Sequence, residues 1–327
     1  MSSKRQAKAT NVDKLSTPDA GGPIETVRKE TTEAATRVEE APPEPELNVT
    51  SETSNVVPEL NKTERREVAK RAGISVVVVH EAIREEGERE LHRPPWALAI
   101  SGLAAGLSMG FSLMSEGLIH VYLPPAIWTP LLTNFGYCIG FLIVVLGRQQ
   151  LFTENTLTVI LPMLAHPNLR TLWRITRLWT IVLLANLVGA FVFAAIIAHA
   201  SIFPSTVNAS ITEIARHSLR GDFNSTLLRG IFAGWLIALM VWLLPGASNS
   251  RPLIIIIITY IVALGGFAHI IVGSAEAFYL VSIGAASWLT YFAGFMLPTL
   301  IGNIIGGISL VAALNFAQVA AETLGTA

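Results

Sequence analysis

No lysine follows Lys70 in this chain of 327 residues, and charge of either sign becomes scarce soon after it. Residues 96–327 hold only eight of the 23 Lys+Arg and six of the 24 Asp+Glu. A water-soluble domain carries charge on roughly a quarter of its residues, so this region does not read as one. Cysteine is nearly absent. Cys138 stands alone in an apolar run, which excludes an internal disulfide. The chain lacks a phosphate-binding G-x-x-x-x-G-K-[ST] loop, a glycine fingerprint after a strand and any Cys/His cluster, so no cofactor and no metal are expected. No nucleophile is paired with a base inside an apolar span, so an enzyme is not expected. The first residues lack a basic segment followed by a short apolar run, and no cleaved signal peptide is expected.

What is present divides the chain into three parts. Residues 1–60 are rich in Thr, Glu, Pro, Ser and Ala, with few large apolar side chains. Such a segment cannot bury enough surface to offset the entropy of ordering, and it reads as a disordered charged tail. Residues 61–95 change character. Thr63 is a candidate helix N-cap with Glu64 and Glu67 behind it, and Val68, the run Ile74–Val79 and Ile83 supply an apolar face. One or two amphipathic helices broken near Gly73 are expected, lying on the membrane domain or its surface. An unknown cytoplasmic partner for this tail is the alternative. Acids and bases are nearly balanced here, which argues against nucleic acid as a partner.

Residues 96–327 form the membrane domain, with the lipid bilayer as solvent. Six apolar spans are long enough, or nearly so, for ~30 Å of hydrocarbon. They cover about 96–119, 127–164, 171–199, 226–245, 252–286 and 289–315. The second and fifth are too long for one crossing. The second is interrupted by the polar stretch Arg148–Thr156, the fifth at Gly265–Gly273. Interruptions at matching positions of two halves point to inverted repeats, with broken helices around a site near the midplane. "ANLVGA" at Ala185–Ala190 and "GNIIGG" at Gly302–Gly307 repeat Asn, two apolar residues and Gly at matching places. The expected fold is therefore an all-α membrane protein of six transmembrane helices, arranged as two inverted three-helix repeats. Glycines four apart (Gly102/Gly106/Gly110, Gly230/Gly234, Gly302/Gly306) suit close helix packing. His92, Arg93, Arg170, Arg174, Arg177 and Arg251 gather on one face, which puts both termini in the cytoplasm. Trp128, Trp173, Trp179, Trp235 and Trp242 are expected as interface anchors or packing, and Glu116 and Glu276 near the interfaces.

These residues resemble the formate/nitrite transporter family of small-anion channels. "LFT" at Leu151–Thr153 is similar to the family's second-helix interruption, and "NLVGA" at Asn186–Ala190 to its third-helix signature. "GFAHIIVGS" at Gly266–Ser274 is similar to its fifth-helix histidine segment, and "LPTLIGNIIGG" at Leu297–Gly307 to its sixth-helix end. Within the family, the charged N-terminal tail is similar to that of the YfdC-type inner membrane proteins. The resemblance implies an aquaporin-like protomer, a homopentamer with one pore per protomer and passage of formate, nitrite or a similar weak-acid anion, often with a proton. It implies that His269 is the central pore histidine and Thr153 the hydroxyl facing it. It places Leu151 in a hydrophobic constriction with Tyr137 and Phe141, and Val262 where the family usually has phenylalanine. Asn186 and Asn303 are expected to hold the loosened backbone of the broken helices, and Gly265, Gly266 and Gly273 to permit that loosening. Gln150, Glu154 and the missing outer lysine depart from the family pattern. A neutral-solute pore, or a non-transporting scaffold or sensor, is the rival reading.

Overall fold

A computed structural model describes residues 61–71 and 74–314; the expected tail at 1–60 and the break at Gly73 lie outside the described residues. Among the described residues every regular element is helical. Helix α1 (Lys62–Arg71) opens on a reciprocal cap. Asn61 Oδ1 accepts from the amides of Thr63 and Glu64, each at 2.9 Å, and the Asn61 amide donates to Glu64 Oε2 at 2.8 Å. The cap is thus Asn61 rather than Thr63: a side-chain amide oxygen two residues earlier reaches both free amides. Ser75 caps α2 (Val76–Leu91). Its buried residues Val79, Ile83, Gly87 and Leu91 recur every four positions and form one stripe. Val79 and Ile83 sit in a cluster with Leu157, Leu161, Trp242 and Val311. Burial of such side chains stabilises by about 1.5–3 kcal/mol each, so α2 is fastened to the helices beneath it. At Gly87 even a methyl group would lie 2.1 Å from the Thr158 carbonyl.

Pro94 and Pro95 end that segment and start α3 (Pro95–His120). The second apolar stretch is α4 (Thr129–Thr133), α5 (Tyr137–Leu146), α6 (Phe152–Thr158) and α7 (Ile160–Ala165). Then come α8 (Leu169–His199), α9 (Ser205–Ser218) and α10 (Phe223–Leu243). The last stretch is α11 (Arg251–Leu264), α12 (Ile270–Ser282) and, after a π-helical turn at Thr290–Met296, α13 (Leu297–Leu314). Among the described residues five segments are long and apolar enough to cross a membrane: Pro95–His120, Thr129–Leu146, Leu169–His199, Phe223–Gly246 and Thr290–Val311. The expected fifth span is two shorter apolar helices, Ser248–Leu264 and Ile270–Ser282. Helix α9 had no counterpart in the apolar-span reading. It is amphipathic, with Val207, Ile211 and Ala215 buried at helical spacing.

Two helix pairs carry the bundle, α3 with α8 and α10 with α13. Lipid offers no hydrophobic drive to join helices, so close van der Waals fit must do it. A side chain at Gly106 would stand 2.1 Å from the Asn186 carbonyl, and one at Gly234 would stand 2.3 Å from the Asn303 carbonyl. Both contacts demand glycine. Some of the basic residues expected on one face meet: Arg174 Nη1 lies 2.8 Å from His92 Nε2, and Arg177 donates to the Leu91 carbonyl at 3.0 Å.

One expectation about the broken fifth helix is corrected. The backbone opens only over Gly265–His269, where Gly266 has φ +59°, a left-handed geometry that glycine adopts without strain. Gly273 lies inside α12, and its amide donates to the His269 carbonyl at 3.0 Å as in any helix. It loosens nothing. A side chain there would meet the Phe295 ring at 2.2 Å, so its small size serves packing.

Candidate pore and its cavity

Each interrupted helix resumes at an asparagine-held amide. Asn186 Oδ1 accepts from the Phe152 amide at 2.9 Å, and Asn303 Oδ1 accepts from the Ile270 amide at 2.9 Å. Asn186 Nδ2 donates to the carbonyls of Gly102 (2.7 Å) and Gln150 (2.8 Å). Asn303 Nδ2 donates to those of Gly230 (2.8 Å) and Ala268 (2.8 Å). A carboxamide suits this task because one side chain both accepts and donates twice. Helix starts leave free amides and chain breaks leave free carbonyls, and in lipid no water can satisfy them.

These two anchors bring Thr153 and His269 together. His269 Nε2 lies 2.8 Å from Thr153 Oγ1, across 116 residues of sequence. His269 is also the N-cap of α12, its Nδ1 accepting a long 3.4 Å contact from the Val272 amide. With Nδ1 as acceptor, we assign the neutral tautomer in which Nε2–H donates to the threonine hydroxyl. Thr153 is fully buried, His269 is 1% exposed, and the Phe141 ring meets the imidazole edge-on at a centroid distance of 5.0 Å.

A cavity of about 310 Å³ runs outward from His269. Tyr137, Val262, Glu116 and Glu276 line its buried part, and His120, Glu213, His217 and Arg229 line the part that faces water. Of the expected grouping, the Tyr137 and Phe141 rings meet at a centroid distance of 5.4 Å, and Leu151 belongs to the same buried cluster. Tyr137 and Val262 share the cavity wall, whereas Leu151 is buried at the start of α6 and Phe141 abuts the histidine. Arg229 Nη1 donates to the Arg220 carbonyl at 3.0 Å and fixes the mouth. Desolvation, aided by neighbouring Arg220, holds His217 below its ordinary pKa.

The formate/nitrite transporter family model matches residues 77–317, which spans both helix breaks, both asparagine anchors and the histidine. The chain belongs to the formate/nitrite transporter family. This is a family of channels and transporters, not of enzymes. The chain is 41% identical over 243 residues to the inner membrane protein YfdC of Escherichia coli K12, covering 74% of this chain and 78% of that one. It is 28% identical to the formate channel BtFdhC of Bacillus thuringiensis, over 73% of this chain and 93% of the relative. Its fold is similar to that of a pentameric formate channel with formate bound (TM-score 0.59, 19% identity, 68% of this chain and 96% of that one). A second solved structure, an FNT family ion channel, is similar with a TM-score of 0.63 at 17% identity, over 76% of this chain and 99% of that one.

For a formate/nitrite transporter family member, the cavity holds two residues that the sequence reading placed elsewhere. Glu116 and Glu276, expected near the interfaces, face inward. Both line the cavity and both are 4% exposed. The sequence carried a signal for one of them. Glu276 stands seven residues after His269 and three after Gly273, which puts all three on one helix face. Glu154 lies in the first turn of α6, half-buried, and is not part of the cavity lining. His199 ends α8 at the surface, away from this site.

Proposed function

We propose that this protein is a channel or channel-like transporter for a small monovalent anion such as formate or nitrite, coupled to a proton through His269. The observation that carries this reading is the 2.8 Å contact between His269 Nε2 and Thr153 Oγ1 at the closed end of a cavity. An ionisable group deep in a membrane bundle is expensive and marks a substrate path by default. Helix α12 begins at that histidine, and the positive end of its dipole favours negative charge there. An anion losing its charge to a proton at His269 avoids the cost of carrying that charge through a low-dielectric segment. Tyr137 and Val262 on the cavity wall, with Phe141 and Leu151, would form the apolar constrictions that exclude hydrated ions. Asn186 and Asn303, with Gly265 and Gly266, would hold the broken backbone open.

The paired asparagine anchors and paired glycine contacts support six crossings built as two inverted repeats of three. Three crossings per half give both termini to one side. The cluster of His92, Arg93, Arg174 and Arg177 supports that side being the cytoplasm, in an inner membrane such as that of the YfdC relative. A homopentamer with one pore per protomer is the assembly we propose, supported by the likeness of fold to a pentameric formate channel. The segment before α3 would be a cytoplasmic tail open to a partner. A second reading, a pore for a neutral small solute, is favoured by one observation: three acids, Glu116, Glu213 and Glu276, line the cavity.

Flux in proteoliposomes, with formate, nitrite, hydrosulfide, lactate and glycerol in parallel, separates these readings. Anion flux should rise as pH falls, since a histidine gains charge near pH ~6.5 in its ordinary state. His269→Phe should abolish most of the flux and the protein's own pH dependence, whereas His199→Asn should change little. A His269→Phe channel with wild-type rate and pH profile would make the histidine a packing residue. Glycerol flux without anion flux would favour the second reading.

A further inference from the structure

Glu116 on α3 and Glu276 on α12 are the two acids of the cavity that are almost wholly withdrawn from water. Glu116 Oε2 is buried with no hydrogen-bond partner, and neither carboxyl forms a salt bridge among the described residues. The titratable and charged groups that share the cavity are His269, Tyr137, His120, Glu213, His217 and Arg229. Two of these are already engaged: His120 Nε2 lies 3.5 Å from Glu213 Oε2, and Arg229 Nη1 is held on the Arg220 carbonyl. On the adjoining faces, Cys138 Sγ turns to the Ile256 carbonyl, Tyr279 to that of Asn208, and Tyr291 to Ser274 Oγ. None of these groups forms a salt bridge with the pair.

Two ionised carboxylates in a shared, partly dry cavity repel each other, and each also loses hydration. A proton or a cation must offset this. An anion cannot follow a path past two uncompensated negative charges. We propose that Glu116 and Glu276 form a proton-binding site that holds at least one proton between them and so decides whether an anion reaches His269. This rests on the cavity being the anion's path. Protonation turns a carboxyl from a pure acceptor into a donor, and an O–H facing an anion makes a charge-assisted hydrogen bond. The anion then moves inward past Tyr137 and Val262 to His269 with its charge intact, and a carboxyl that has lost its proton regains one from water at the open mouth.

Two measurements test this. Infrared spectra of the purified wild-type protein at neutral pH should show absorption from protonated carboxyl groups, which a water-exposed glutamate does not give there. Glu116→Gln and Glu276→Gln should each remove part of it. Formate and nitrite flux, corrected for protein-free liposomes, should fall by up to about tenfold per pH unit above the pair's titration, as for any one-proton equilibrium. In each Gln variant that fall should flatten or shift, because an amide keeps an N–H donor and has no proton to lose. Absence of the protonated-carboxyl band in wild type overturns the proposal, even if no variant folds. Identical pH profiles in wild type and both Gln variants also overturn it. Removal of the band by sodium or ammonium would make the pair a cation site instead and overturn it. If wild type moves neither anion while the band is present, the anion path is wrong and the pair loses its role as a gate.

Discussion

Replacement of Asn303 by leucine isolates what the anchors contribute, because it keeps the side chain's volume and removes its three hydrogen bonds. The Ile270 amide loses its acceptor at 2.9 Å, and the carbonyls of Ala268 and Gly230 lose a donor at 2.8 Å each. The three groups are not equal. Gly230 lies inside α10, so its carbonyl also serves the helix, whereas Ile270 opens α12 and Ala268 lies in the break. Two groups are therefore orphaned. An unsatisfied buried group costs about 1–3 kcal/mol in proteins generally, and hydrogen bonds between transmembrane helices have averaged nearer ~0.6 kcal/mol. The expected loss is about 1–4 kcal/mol, measured by denaturant unfolding in mixed micelles. Flux should fall as well, since His269 immediately precedes Ile270 and would drift from Thr153. Asn186→Leu should lose a similar amount, because its three contacts have the same lengths within 0.1 Å. A loss under about 0.5 kcal/mol, the size of an ordinary surface substitution, with flux unchanged would refute the anchoring role.

Other outcomes follow from the same geometry. Cysteines introduced as Ala20→Cys and Gly325→Cys should both resist an impermeant thiol reagent added outside intact cells; labelling of only one would mean an odd number of crossings. Native mass spectrometry in mild detergent should give a pentamer, and a monomer, dimer or trimer as the sole species would contradict it. Gly266→Ala should cost about 1–2 kcal/mol from the left-handed backbone at φ +59°, with open space around the added methyl group, whereas an unchanged unfolding midpoint would mean the loop relaxes freely. Ile83→Ala should destabilise by about 2–4 kcal/mol if α2 is part of the folded unit, and a silent substitution would show that α2 is only loosely seated.

Much of this fold was legible because lipid leaves few options. Apolar length alone gave the spans, and the polar stretch after Leu146 and the Gly265–Gly266 pair gave the two breaks. The paired Asn-x-x-Gly patterns gave the anchors, since only a side chain with both donors and an acceptor can close a broken helix in lipid. Other features were hidden for specific reasons. Helix α9 buries one face and wets the other, so it carries too little mean hydropathy to register as a span. Gly273 reads in sequence like its neighbours at 265 and 266, and only the Phe295 ring opposite it tells packing from flexibility. Glu116 misled because a single acid near the end of a long span resembles an interfacial residue. Its place is fixed by α12, which brings Glu276 into the same cavity from 160 positions away.

The mirrored anchors also locate the origin of the site's asymmetry. Phe152 and Ile270 occupy equivalent positions, since each gives its amide to an asparagine carbonyl oxygen, 34 residues ahead in one case and 33 in the other. The residue before each amide is then equivalent too, so Leu151 in the first half corresponds to His269 in the second. Both are N-caps with nearly the same extended backbone, φ −101° and ψ 130° against φ −104° and ψ 126°. One step further on, Thr153 corresponds to Ile271. The two halves thus supply one backbone frame twice, and the polar contact arises because each half contributes a different element of it. The second half offers the cap position as histidine; the first offers the following turn as threonine. Moving the histidine to the symmetric place would destroy that pairing. The double variant Leu151→His with His269→Leu should therefore fold, keeping both asparagine anchors, and should not conduct. Its imidazole would face Ile271, which offers no hydroxyl. Restored flux in that exchange would mean that the frame alone, rather than the His269–Thr153 contact, suffices for transport.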